Sequence, residues 1–163
     1  MNEIKDLQFG IWRLLNYTRR LIHQARKKEL AQYGLTTRRS AILEIATRLS
    51  GKATQSEIAR QLFAGRHVIS EQLTQMEKDG LIVKVRDLKR KNEVRVVATE
   101  KGEEMYRKAA IHQSISDAMS ALTEGEIYIL WGIMSKLRER SLSNLGLDQD
   151  SLNIYPPSDP EKL

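Results

Sequence analysis

The chain has 163 residues, 40% hydrophobic and 29% charged, with a formal net charge of +6; this suffices for one ordinary domain and favours a polyanionic partner. It contains no cysteine, which excludes disulfides, thiolate zinc sites and thiol redox sensing. No apolar run approaches the ~20 residues of a membrane helix, and Met1-Asn2-Glu3-Ile4-Lys5-Asp6 lacks signal-peptide character, so no membrane partner is expected and the expected location is cytoplasmic.

Residues 3 to 32 read as one long helix. Ile4, Leu7, Ile11, Leu15, Thr18, Ile22 and Ala25 follow helical spacing along one stripe, widened by Leu14 and Leu21. Arg13, Arg19, Arg20, Arg26, Lys27 and Lys28 make the opposite side basic, and Gly34 stops the helix. The stripe is longer than a small core covers, so a partner subunit is expected. Thr36 or Thr37 caps a second helix carrying Ile42, Ile45 and Leu49, ended by Ser50-Gly51. Thr54-Gln55-Ser56-Glu57 has the capping-box pattern and opens a short helix with Ile58, Ala59 and Leu62. After Gly65, a helix from about Arg66 to Asp79 places Ile69, Leu73 and Met76 on one face, and Gly80 closes it.

Leu81 to Arg86 and Glu93 to Ala98 are β-favouring runs around the loop Asp87-Leu88-Lys89-Arg90-Lys91-Asn92. Thr99 is expected to cap a helix reaching Leu122, with Met105, Ala109, His112, Ser116 and Met119 aligned along it. A second capping box, Thr123-Glu124-Gly125-Glu126, opens a last helix with Ile127, Trp131, Met134 and Leu137 on one face. From about Leu145 the chain turns polar, acidic and proline-containing, and reads as an extended or disordered tail.

The order helix, turn, helix, charged hairpin is the pattern of a winged helix-turn-helix, a mainly α fold with a small β-hairpin wing. Opposite the Ile69-Leu73-Met76 face lie His67, Ser70, Glu71, Thr74, Gln75 and Lys78, short enough for a helix lying in a DNA major groove. Arg66 and the helix N-terminal amides suit phosphate. A polar face opposite a core stripe is also the rule for any surface helix. The hairpin separates the two readings: from Lys84 to Arg95 six basic residues (Lys84, Arg86, Lys89, Arg90, Lys91, Arg95) face two acids, as phosphate and minor-groove contact require.

Leu35-Thr36, Thr54-Gln55-Ser56-Glu57-Ile58-Ala59, Met76-Glu77-Lys78-Asp79-Gly80-Leu81-Ile82 and Thr99-Glu100-Lys101-Gly102 together resemble MarR-type transcriptional regulators, over roughly residues 5 to 145. The resemblance implies a homodimer in which the first, fifth and sixth helices intertwine and two winged domains reach a pseudo-palindromic double-stranded DNA operator. It divides the chain into 1–34 (dimerisation helix), 35–99 (winged helix-turn-helix), 100–145 (dimerisation helices) and 146–163 (tail). One motif departs from the family: its wings carry Asp-x-Arg or Asp-Arg-Arg where this chain has Arg90, Lys91 and Asn92. The resemblance also implies a small phenolic or anionic effector in a crevice beside the dimer region, for which Trp12, Tyr17, Arg20, His23, Tyr33 and Arg39 are the candidates. Ordinary packing and a solvated face account for the same residues.

No cofactor and no metal site is expected, since three histidines without cysteine make a poor zinc set, and His112 on an apolar stripe reads as a core residue. No GxSxG, HExxH, P-loop or GxGxxG motif is present, so the chain is not expected to be an enzyme. The expected function is a sequence-specific repressor. A nonspecific architectural DNA binder and a winged-helix protein-interaction module stay open, because fold alone does not decide function.

Overall fold

In the computed structural model the described residues are 3–86 and 94–147; the loop bearing Lys89, Arg90, Lys91 and Asn92, and the acidic tail from residue 148, lie outside them. Helix α1 (Glu3–Ala31) runs unbroken, with Glu3 and Asp6 in its first turn and Lys28 in its last, the order of charge that a helix dipole favours. Gly34, at φ 68°, ends it by letting the Leu35 amide fold back onto the Leu30 carbonyl at 3.1 Å, which sends both leucines into the core.

Helix α2 (Thr37–Arg48) is capped by the Thr36 hydroxyl, which accepts from the Arg39 amide. Helix α3 (Gln55–Gln61) is capped by Thr54, which accepts from the Glu57 amide at 3.1 Å. Here the expected capping box is only half formed: the Glu57 carboxylate accepts from Arg60 and Gln61 on the next turn instead. Helix α4 (Arg66–Lys78) starts at Gly65 without a side-chain cap. Strands β1 (Ile82–Arg86) and β2 (Val94–Ala98) pair antiparallel, Ile82 opposite Ala98 and Arg86 opposite Val94.

These elements share one core. Ile42, Leu43, Ile58, Ile69, Leu73, Met76, Leu81, Ile82 and Val96 are fully buried in it. The Gly-Leu-Ile turn works as the α1 terminus does: Gly80 is at φ 73° and the Leu81 amide donates to the Met76 carbonyl at 2.9 Å. The Thr99 hydroxyl donates to the Gly80 carbonyl at 2.7 Å and accepts from the Gly102 amide at 3.1 Å. A β-carbon on Gly102 would lie 2.1 Å from the Leu81 carbonyl oxygen. The two short motifs therefore form one lock: the turn brings Leu81 against the start of the next helix, and only glycine leaves room for it.

The helix expected from Thr99 to Leu122 is two helices, α5 (Glu100–Ala109) and α6 (Gln113–Met119). The break has a tertiary cause. Arg26 on α1 donates to the Ala109 carbonyl at 2.7 Å and holds Glu29 at 2.9 Å. The Glu29 carboxylate then accepts from the amides of Gln113 and Ser114 and from the Ser114 hydroxyl. A carboxylate from another helix caps α6 and ends the periodicity that would have continued. His112 correspondingly sits at the α6 N-cap at φ 51°, not on an apolar helix stripe, and Arg26, expected on a solvated basic side, is buried.

Helix α7 (Glu124–Asn144) opens with the complete capping box of Thr123 and Glu126. Only Leu142 of this helix is buried. Tyr128, Ile129, Ile133 and Leu137 are exposed, as are Leu7, Trp12, Leu14 and Tyr17 on α1.

Candidate nucleic-acid interface

Helix α4 divides as its sequence predicts. Ile69, Leu73 and Met76 are wholly inaccessible, while Arg66, His67, Glu71, Thr74, Gln75 and Lys78 are exposed and Ser70 is half-buried. Gly65 contributes no side-chain cap to the first amides of α4, whose partial positive charge suits an anion.

Two side-chain networks hold this helix. At its C-terminal end the Asp79 carboxylate accepts from Gln75 at 3.0 Å and pairs with Arg39 of α2 at 2.8 Å, while Lys101 donates to the Asp79 carbonyl at 2.8 Å. On the hairpin side, the Lys84 amide donates to Glu77 at 3.1 Å, and its ammonium donates to the Thr74 hydroxyl at 2.9 Å and lies 3.3 Å from the Glu77 carboxylate. Lys84 thus fastens the hairpin to α4. The Thr74 hydroxyl, donating to the Ser70 carbonyl at 2.9 Å, has no donor left and one acceptor lone pair.

Of the wing residues, Arg86 is exposed where β1 ends, and Arg95 is half-buried opposite Val85. Arg95 also forms an isolated bridge with Thr54, and the Val96 amide donates to the Ala53 carbonyl at 2.8 Å. The hairpin base is therefore tied to the entry of α3 as well as to α4. Lys89, Arg90, Lys91 and Asn92 fall outside the described residues.

The effector candidates spread along the chain. Trp12, Tyr17 and Arg20 line an open groove of 620 Å³ on α1, where Phe9 stacks on Trp12 at 5.4 Å. His23 is exposed farther along α1, and Tyr33 packs against the core. Arg39 is engaged with Asp79. Trp12 and Tyr33 are separated along α1 by on the order of 30 Å, so within one chain the six do not converge. The Arg39–Asp79 pair, the Lys84 fastening and the Arg26–Glu29–Ser114 network were not foreseen from sequence. Arg39 and Asp79, and Glu29 and Ser114, lie far apart in the chain, while Lys84 reaches back across the turn between α4 and β1.

Glu29 is the most perturbed of these groups. Partial burial opposes its charge, but the hydrogen bonds from Ser114 and Arg26 outweigh it and hold the carboxyl at about 2. Among the described residues no group of His, Asp and Glu side chains is placed to hold a metal ion, and no helix is long and apolar enough to cross a membrane.

No protein-family model matches the sequence. The chain is 32% identical over 137 residues to an uncharacterized HTH-type transcriptional regulator of Bacillus cereus, covering 80% of this chain and 88% of that protein. Its structure is similar to that of the organohalide-sensing transcriptional regulator RdhR. The ligand-free form superposes with a TM-score of 0.78 at 28% identity, covering 96% of this chain and 94% of that one. The 2,4-dichlorophenol-bound form gives 0.74 at 30% identity, covering 87% and 86%. A MarR mutant from E. coli complexed with operator DNA shares the fold, with a TM-score of 0.71 at 16% identity over 78% of this chain and 93% of that one.

Proposed function

Because the chain belongs to the HTH-type transcriptional regulators and shares the fold of MarR regulators, we propose that it is a sequence-reading repressor that binds a pseudo-palindromic operator as a homodimer. The observation that carries the reading is the division of α4: three core residues fully buried, and a polar outer face whose N-terminus starts uncapped beside Arg66. His67, Ser70, Glu71, Thr74 and Gln75 are the base-reading set. Thr74, with only an acceptor to offer, selects an amino group in the major groove, on adenine or cytosine. Arg66, Arg86 and Arg95, with Lys89, Arg90, Lys91 and Asn92 of the wing loop, supply phosphate and minor-groove contact.

Exposed apolar residues along α1 and α7 support the dimer, since side chains such as Leu14 and Ile129, 64% and 63% exposed, leave a long apolar surface uncovered in one chain. Two recognition helices one helical turn apart, ~34 Å, would enter successive major grooves. A small aromatic effector releases the complex. Support comes from the similarity to a regulator bound to 2,4-dichlorophenol and from the Trp12, Tyr17 and Arg20 groove, which a second chain would close.

Selection of bound sequences from a random duplex pool tests the reading. Enrichment of an inverted repeat with about one turn between half-site centres is the expected result. Retention of DNA without enrichment would favour an architectural role, and no retention would overturn DNA binding altogether. On the enriched site, Arg90→Ala with Lys91→Ala should flatten the salt dependence by up to ~2 units of log–log slope. Titration with 2,4-dichlorophenol should weaken binding to the same site if the effector is of that class.

A further inference from the structure

Lys84 stands on β1, yet its ammonium is committed to α4. It donates to the Thr74 hydroxyl at 2.9 Å and lies 3.3 Å from the Glu77 carboxylate, on a side chain that is 22% exposed. An ammonium so placed is engaged by two partners and is not free for phosphate. The Lys84 backbone amide donates separately to Glu77 at 3.1 Å. The bond from the ammonium to Thr74 is therefore added to a fastening that the main chain already makes.

Its consequence falls on Thr74, which is exposed on the outer face of α4. A hydroxyl carries one proton and two lone pairs and rotates to donate or to accept, whereas an ammonium has donors only. Facing Lys84, the hydroxyl must present a lone pair, and its proton goes to the Ser70 carbonyl at 2.9 Å. Without the ammonium nothing would hold it so. The Ser70 carbonyl keeps its helical amide donor, and the hydroxyl could swing its proton outward.

We infer that Lys84 is a specificity-positioning residue: acting through Thr74, it fixes that hydroxyl as an acceptor and restricts the operator position it meets to adenine or cytosine, the bases with a major-groove amino group. The inference deepens the proposed reading of DNA by α4 and rests on it. Guanine and thymine carry a keto oxygen in the same groove, and a hydroxyl whose proton is held elsewhere meets that oxygen lone pair to lone pair. Keto bases are then rejected by leaving two polar groups unpaired, which costs more than a missing attraction. A residue of the hairpin thus sets what a residue of the recognition helix can read.

The test uses the full chain and the operator selected from the random pool. Affinity is measured for duplexes carrying each of the four base pairs at the position where Thr74→Val flattens the preference. The native protein should favour the amino bases there about fivefold, the worth of one neutral hydrogen bond. Lys84→Met/Glu77→Gln removes both charges together, so net charge is kept and the Lys84 amide retains an acceptor; this variant should bind all four about equally. Glu77→Gln alone, which breaks the ion pair but leaves the ammonium on Thr74, should keep the native preference, and so should Lys84→Arg, whose guanidinium also has donors only. A uniform fall in affinity in Lys84→Met/Glu77→Gln, with the preference retained, would make Lys84 a fastening or a phosphate contact and overturns the inference while DNA reading stands. Loss of the preference in Glu77→Gln alone would trace it to the ion pair, and overturns it too. If Thr74→Val flattens no position of an enriched operator, Thr74 reads no base and the inference falls with sequence reading upheld. If the native protein enriches no sequence, the reading itself fails and takes the inference with it.

Discussion

The winged unit and the two long helices α1 and α7 obey the same local rules and reach opposite ends. In the winged unit each apolar stripe finds a cover within the chain: Ile42, Leu43, Ile58, Ile69 and Leu73 are wholly inaccessible. On α1 the stripe is as regular, yet Leu7 and Leu14 stay 57% and 64% exposed, and α7 leaves Ile129 and Ile133 exposed as well. A helical apolar stripe states that something must cover it and does not state what. Short connections let α2, α3, α4 and the hairpin fold onto one another. A straight helix of 29 residues projects beyond any core this chain can build.

The largest effect that tests this contrast is Leu73→Ala. Removing a fully buried leucine from the winged unit should cost about 2–5 kcal/mol, read by chemical denaturation and independent of protein concentration. Leu14→Ala should behave differently, leaving dilute protein unchanged and lowering the unfolding midpoint only at concentrations where the native chain associates, because association adds stability by mass action. An equal, concentration-independent loss in both variants would break the comparison.

Next is Gly102→Ala. With its β-carbon 2.1 Å from the Leu81 carbonyl, α5 and the Gly80 turn must separate, and about 1–3 kcal/mol should be lost. A neutral result would mean that the turn yields easily. That close approach was half legible in sequence: Gly80-Leu81 and Thr99-x-x-Gly102 stood out as motifs, but nothing in either showed that they press on each other.

Glu29→Gln probes the joint between α1 and α6. A carboxyl held at about 2, against an ordinary 4.5, binds its proton less readily in the folded state, so its contribution is present above pH 4.5 and lost as the pH falls toward 2. Allowing for solvent screening, the variant should be about 1–2 kcal/mol less stable near pH 7. The difference from the native protein should close between pH 4.5 and 2, followed by denaturation across that range. A constant difference would show that Glu29 acts through packing and not charge. Smallest is Thr123→Ala, which removes one hydroxyl cap from α7 and should cost ~1 kcal/mol or less. Faster amide exchange at Glu126 and Ile127, with the winged unit unchanged, is the expected signature.

Most of the elements were legible because their causes are local. The caps at Thr36, Thr54, Thr99 and Thr123, the glycine stops at Gly34 and Gly80, and the Ile69-Leu73-Met76 face each depend on residues within a few positions of one another, where backbone geometry alone dictates who can meet. The outward set on α4 followed from the same periodicity. What only the tertiary structure decided are the contacts between distant residues. Glu29 caps α6 from 85 residues away and breaks a helix that local pattern would continue. Arg39 belongs to the end of α4 rather than with the aromatic residues of α1, and Lys84, counted in sequence only among the basic residues of the wing, fastens the hairpin to α4. A buried or half-buried charge goes where its partner is. The amino-acid order carries the charge itself, but the position of that partner exists only once the chain has folded.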